Sequence, residues 1–78
     1  MYKVYAIKST KRNYIYVGLT SNLEERLKRH NSGGNKTTKP YLPFDLILVE
    51  DLPDRISARK REKYLKSGVG KKFLKRLC

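Results

Sequence analysis

Five residues of this chain could together break a phosphate ester: Tyr5, Tyr16, Arg26, His30 and Glu62. A tyrosine hydroxyl acts as a general base only after losing its proton. With a pKa near 10, that loss costs roughly 4 kcal/mol at pH 7. A nearby cation lowers the cost. An arginine fork can clamp a non-bridging phosphate oxygen and stabilise charge in a transition state. A histidine can hydrogen-bond the phosphate or a tyrosine hydroxyl. A carboxylate on an inward helix face needs a partner or a metal. Mg²⁺ or Mn²⁺ would suit it, because such ions keep most of their waters and need only one or two protein carboxylates.

Each residue also has an ordinary role open to it. Strand tyrosines are commonly half-buried packing with the hydroxyl at the edge. Arg26 could be a solvated charge and His30 a satisfied structural histidine. Glu62 could pair with Lys66 at i+4 or Arg59 at i−3. Other chemistries lack material. One histidine and one cysteine, far apart in the chain, cannot build a tetrahedral zinc site. No phosphate-cradling glycine loop and no nucleophile elbow is present. Schemes that need two histidines or clustered carboxylates are excluded likewise.

The elements that must position these residues follow from patterning. YKVYAIK (2–8) and YIYVGL (14–19) read as two strands of an antiparallel hairpin around a polar turn. Alternation puts Tyr14, Tyr16 and Gly18 on one face and Ile15, Val17 and Leu19 on the other. In the first strand, Lys3, Tyr5 and Ile7 face one way, and Val4 and Ala6 the other. Ser21-Asn22-Leu23-Glu24 reads as a capping box that opens a helix. That helix runs to about Ser32 and stops at Gly33-Gly34. Leu23, Leu27 and His30 share one face of it, with Arg26 at the edge. A polar loop (35–43) carries Lys36 and Lys39. FDLILVEDL (44–52) is a third strand whose near-continuous apolar run predicts burial on both faces. A second helix starts at Pro53-Asp54, capped by Asp54 or Ser57. It carries Ala58, Glu62 and Leu65 on one side, with Arg59, Lys60, Lys63 and Lys66 opposite. Gly68-Val69-Gly70 is expected to end it, before a short basic helix with Phe73, Leu74 and Leu77 as its apolar side. The order is β-β-α-β-α-α, and the expectation is a single domain over residues 1–78.

Composition narrows the partners. Nineteen Lys+Arg against seven Asp+Glu give +12 and a pI near 10.1. That excess is the footprint of a polyanion binder, and a structural protein that binds no nucleic acid fits it poorly. No apolar run approaches the length of a membrane span. The single cysteine, Cys78, leaves no disulfide within the chain and suits a reducing, cytoplasmic setting.

KVY (3–5), ten residues, YVG (16–18), then Arg26 and His30, then Glu62 in REKYLK resemble the GIY-YIG nuclease domain. The TKPYLPFDLILVE stretch and the KSGVGKKFLK ending resemble its small stand-alone bacterial members. The resemblance spans essentially the whole chain. It implies an α+β fold, an α/β sandwich with a three-stranded antiparallel sheet flanked by helices. It also implies hydrolysis of DNA phosphodiesters with one divalent ion, Mg²⁺ or Mn²⁺, per site. Tyr5 and Tyr16 are then the motif tyrosines, one of which helps deprotonate the attacking water. Arg26 and His30 match the family's arginine and histidine, and Glu62 its metal-binding glutamate. Gly18 would give a close backbone approach and the turn toward the helix. Two departures stand out. Lys3 replaces the first motif's glycine, and no asparagine follows Asn35 to support the site.

The resemblance points to an endonuclease of low intrinsic sequence specificity, of use in DNA repair or recombination. Branched, damaged or single-stranded DNA are candidate substrates, with RNA kept open. Family enzymes with defined targets borrow specificity from extra domains, which this chain does not contain, so a specificity-giving protein partner is a further expectation. The oligomeric state expected is a monomer or weak homodimer. The other function class is an adaptor: a nucleic-acid-binding module of this fold, catalytically weak or inactive. Arg26, Lys36, Lys39, Arg59, Lys63 and Lys66 are the expected nucleic-acid contacts. A footprint of about six phosphates predicts a log–log slope of affinity against salt of roughly −5, measurable by anisotropy titration at several salt concentrations.

Overall fold

The computed structural model describes residues 1–77; Cys78, read above as the lone thiol, lies outside the described residues. Strands β1 (Tyr2–Ser9), β2 (Ile15–Thr20) and β3 (Phe44–Leu52) form one antiparallel sheet in the order β2-β1-β3. Helix α1 (Leu23–Asn31) follows β2, and α2 (Arg55–Lys66) and α3 (Gly68–Lys75) follow β3. The fold class and element order agree with the sequence reading.

Alternation along β1 builds two cores. Val4 and Ala6 pack with Val17, Ala58, Leu65 and Leu74 beneath α2 and α3. Tyr5 and Ile7 pack with Phe44 on the other face, joined by Tyr16, Leu23 and Leu27. Four consecutive residues, Val4 to Ile7, are therefore fully buried. A strand with hydrogen-bonded neighbours on both sides and helices on both faces has no route to solvent.

Burial on both faces was expected of β3 and belongs instead to β1. β3 is an edge strand, and Leu46 and Val49 are exposed. Its apolar run could not reveal this, because run length does not say which strand has two neighbours. Register also slips between Ala6 and Ile7, so Ala6 pairs with Leu48 but Ile7 with Leu46.

Helix boundaries follow local chemistry, with two corrections. The cap of α1 is Asn22 rather than Ser21: its Oδ1 accepts from the Glu25 N–H at 3.2 Å. The cap pair is thus Asn22 and Glu25, one residue later than read. The Glu25 carboxylate accepts from Asn22 Nδ2 at 3.4 Å, because the Asn22 backbone N–H is taken by Thr20. Gly33, with φ +81, stops the helix region as expected. Asp54 caps α2 by accepting from the Ser57 N–H at 2.7 Å. Those hydrogen bonds hold its carboxyl below the usual range.

The second correction concerns Gly68-Val69-Gly70, which begins α3 instead of ending α2. Ser67 makes the break. Its hydroxyl donates to Tyr64 O at 2.5 Å, and its Oγ accepts from the Gly70 N–H at 3.3 Å. Gly70 is needed for a different reason, since a Cβ there would strike the Tyr64 carbonyl and lie 2.5 Å from Leu65 Cα. In α3, Leu74 is buried as expected, while Phe73, and Leu77 just beyond the helix, are exposed. A 3₁₀ turn at Lys39–Tyr41, unanticipated, shapes the loop after α1.

Gly70→Ala should therefore destabilise the protein by about 3 kcal/mol, the upper range for overpacking. At Gly68 an added Cβ meets nothing within 4 Å, so Gly68→Ala should be neutral or stabilising by up to about 1 kcal/mol. Chemical denaturation of the two variants checks the contrast.

Candidate active site

Tyr5 stands in the middle of the central strand with its hydroxyl 2.9 Å from His30 Nε2. Both residues are fully buried. Opposite Tyr5 in the register is Gly18. A Cβ on Gly18 would lie 2.7 Å from the Tyr5 hydroxyl oxygen and 2.8 Å from Cζ. Bare backbone at Gly18 is what lets the tyrosine ring lie across β2. The expected turn at Gly18 is absent, because β2 continues to Thr20. The chain turns at Ser21-Asn22, where the Thr20 hydroxyl oxygen accepts from the Asn22 N–H at 3.0 Å.

His30 sits in the last turn of α1, its ring enclosed. Nδ1 lies 2.9 Å from the hydroxyl of Thr38, also fully buried. The Tyr16 ring centroid is 4.9 Å from that of His30 and 6.3 Å from that of Tyr5. Arg26, one turn earlier on α1 and half-buried, brings its positive charge to bear on the Tyr5 hydroxyl.

This packing controls charge. Burial pushes the Tyr5 phenol well above its ordinary value, Tyr16 adds to the rise, and Arg26 opposes it. Burial likewise pulls His30 below its ordinary value, and the positive charges of Arg26 and Arg29 pull it further. At neutral pH the pair is therefore a neutral phenol against a neutral imidazole.

Glu62 comes from α2, on the opposite layer, and its charge still acts on Tyr5. Its side chain is only 16% exposed. Of the two ion-pair partners considered, Lys66 takes it, with Nζ 3.4 Å from Oε2. Among the described residues no group of three metal-ligating side chains occurs. A single, largely buried carboxylate fits a hard divalent ion that draws its other ligands from water and phosphate oxygens. Such an ion would have to displace the Lys66 ammonium.

The structure thus brings Tyr5, Tyr16, Arg26 and His30 into one cluster, with Glu62 nearby. Lys36, Lys39, Arg59, Lys63 and Lys66 are all exposed. Of these, Lys66 borders a groove of about 510 Å³ that runs beside Tyr16 and along β2. Lys71 and Lys75 line the same groove. Nothing in the sequence separates those two lysines from the rest of the basic C-terminal run. Thr38 was missed as well. It is one of several polar residues in a polar loop, and only folding buries it against His30.

A family model described as the GIY-YIG catalytic domain matches residues 1–75. The chain belongs to the GIY-YIG catalytic domain family, and with it to a nuclease family acting on nucleic acid. Its relatives include a UPF0213 protein of Clostridium perfringens, 41% identical over 64 residues, spanning 81% of this chain and 68% of that one. The UPF0213 protein YazA of Bacillus subtilis is 39% identical over 69 residues, spanning 87% and 69%. The solution NMR structure of a UPF0213 protein from Bacillus halodurans superposes with a TM-score of 0.58 at 31% identity, covering 99% of this chain and 85% of that chain. No helix among the described residues is long and apolar enough to cross a membrane.

The depressed His30 pKa carries a pH dependence of stability. Above about pH 6.5 the histidine is neutral folded and unfolded, and its contribution is constant. As pH falls below that value the unfolded chain takes up the proton first, so stability declines, by at most about 1.4 kcal/mol per pH unit. The loss levels off once the folded-state pKa is passed. His30 is the chain's only histidine. Melting temperatures should fall between pH 7 and pH 5 in the wild type, and His30→Gln should flatten that slope.

Proposed function

We propose that this protein is a divalent-metal-dependent endonuclease that hydrolyses DNA phosphodiesters with little intrinsic sequence specificity. One observation carries the reading: a tyrosine hydroxyl held against a neutral histidine, with an arginine's charge acting on the phenol. A phenol is a poor base until something takes its proton, and His30 Nε2 is the acceptor in contact with it. Burial opposes the transfer in the resting protein, so it must be coupled to loss of the water proton at the phosphate. Arg26 has two roles in the sequence of events. In the resting protein its charge lowers the cost of ionising Tyr5. With substrate bound, the same guanidinium takes a non-bridging phosphate oxygen while staying beside the phenolate it stabilises.

The reaction then balances simply. The Tyr5 proton moves to His30 Nε2, and the phenolate oxygen takes a proton from water. That water's oxygen bonds to phosphorus while one ester P–O bond breaks, and the leaving oxygen departs with the electron pair. Tyr16, half-exposed beside the groove, positions the water or the phosphate. Glu62 would hold the divalent ion, which supplies Lewis-acid neutralisation of the phosphate charge and of the leaving oxygen. Lys66, Lys71 and Lys75 bind the backbone of the strand, a contact that carries no sequence information. DNA repair or recombination in the cytoplasm is the setting we assign to such cuts.

The decisive assay incubates the protein with supercoiled plasmid, branched DNA, single strands and RNA, with Mg²⁺, Mn²⁺ or chelator. Nicking should need the ion. Tyr5→Phe should slow it by about 10²–10⁴-fold, and Arg26→Ala by about 10²–10³-fold. Glu62→Ala should abolish the metal-dependent part. Cutting that survives in both Tyr5→Phe and Glu62→Ala would belong to another site or a contaminant. Tight binding with no cutting of any substrate would instead make the protein an adaptor on nucleic acid.

A further inference from the structure

Thr38 lies eight residues beyond His30, in the loop before β3, and is fully buried. Its hydroxyl has one proton and two neighbours: His30 Nδ1 at 2.9 Å and the Asn35 carbonyl oxygen at 3.4 Å. A carbonyl only accepts, so the contact to Asn35, whose oxygen also takes the Thr38 and Lys39 N–H groups at 3.2 and 2.9 Å, uses the Thr38 proton. The Thr38 oxygen is then an acceptor toward His30, and Nδ1 must carry the hydrogen. That leaves Nε2 with its lone pair aimed at Tyr5, 2.9 Å away. At the Tyr5 end, Arg26 can only donate, so it offers the phenolic proton no acceptor. The phenolic proton is left for Nε2. One direction satisfies every group in the row: Tyr5 O–H to Nε2, Nδ1–H to Thr38, Thr38 O–H to Asn35. In the reverse tautomer Thr38 would turn its proton to Nδ1 and give up Asn35. The Tyr5 hydroxyl would then receive a hydrogen from His30, and its own proton would lose Nε2 as acceptor.

We propose that Thr38 is a positioning residue that selects the Nδ1–H tautomer of His30, so that Nε2 is free to accept the Tyr5 proton. Its importance for cutting rests on the function proposed above, but the tautomer itself does not. After the proton transfer the imidazolium still donates Nδ1–H to Thr38, so the hydroxyl stabilises the charge without moving. The buried part of the loop, Thr38 with the Asn35 carbonyl behind it, thereby becomes part of the site.

Two measurements on the full chain test this separately. Long-range ¹H–¹⁵N spectra of the His30 ring at pH 7.5, without metal or DNA, should show Nδ1 protonated and Nε2 bare. An Nε2-protonated ring overturns the proposal whether or not the protein cuts anything. Thr38→Val keeps the branched shape and removes the acceptor, and it should populate the Nε2–H form. With nicking as the readout, it should lower kcat by about 10²-fold, the lower end for losing acid–base function, with KM for plasmid little changed. Thr38→Ser should restore both the spectrum and the rate. Wild-type cutting by a folded Thr38→Val protein would remove Thr38 from the mechanism. If Thr38→Val does not fold, the wild-type ring spectrum and the Thr38→Ser rate still decide.

Discussion

The hydrogen bond between the Tyr5 hydroxyl and His30 is the contact around which the rest of this fold is arranged. Two polar groups are enclosed in a small protein with two thin cores. Left unpaired, each would cost about 1–3 kcal/mol, a large share of the stability a chain this size can hold. The pairing needs β1 at the sheet centre, a glycine opposite Tyr5, and the last turn of α1 directly above. It also needs the loop after α1 to bring Thr38 to the far side of the imidazole. Each requirement comes from a different element, so the contact ties the hairpin, α1 and the loop into one unit.

Enclosure also decides which groups carry charge. The phenol and the imidazole stay neutral inside a chain with twelve more cations than carboxylates. The few carboxylates are held mostly in structural pairs. Glu50 takes the Arg61 fork at 2.6 and 2.9 Å, joining β3 to α2, and raises the Arg61 pKa. Asp51 meets Lys3 across the sheet at 2.5 Å, and Glu25 lies 3.8 Å from Arg29 on α1. Those last two are exposed and contribute little to stability. Glu62 differs because it is shielded and lies near the tyrosines. Its lysine partner also borders the groove, so an ion on Glu62 and a phosphate in the groove would both act on Lys66.

Much of this was legible in the chain. Alternation in YKVYAIK and YIYVGL sorts residues onto two faces, and the two cores follow that sorting residue by residue. Asp54 and Gly33 mark helix ends because a side chain, or the lack of one, solves a backbone problem within a few residues, whereas the cap of α1 falls on Asn22, one residue after the expected Ser21. Where the reading slipped further, a non-local fact was responsible. β3 has the apolar run of a central strand, yet β1 takes the centre by pairing on both sides. Gly68 and Gly70 look like a helix stop, yet Ser67 breaks the chain and Gly70 serves the contact of α3 with the end of α2.

The sequence by itself determined the element order, the faces of the hairpin, the excess of positive charge and the five residue types able to act on a phosphate ester. Those depend on periodicity, local capping and composition, which are properties of neighbours along the chain. Tertiary structure alone decided that Tyr5 is sealed against His30 and that Thr38 stands behind the imidazole. Burial and hydrogen-bond direction are set by atoms from segments 8 to 25 residues apart. Protonation states follow burial, so the chemistry these residues can perform was settled only when the loop and the helix closed over the strand.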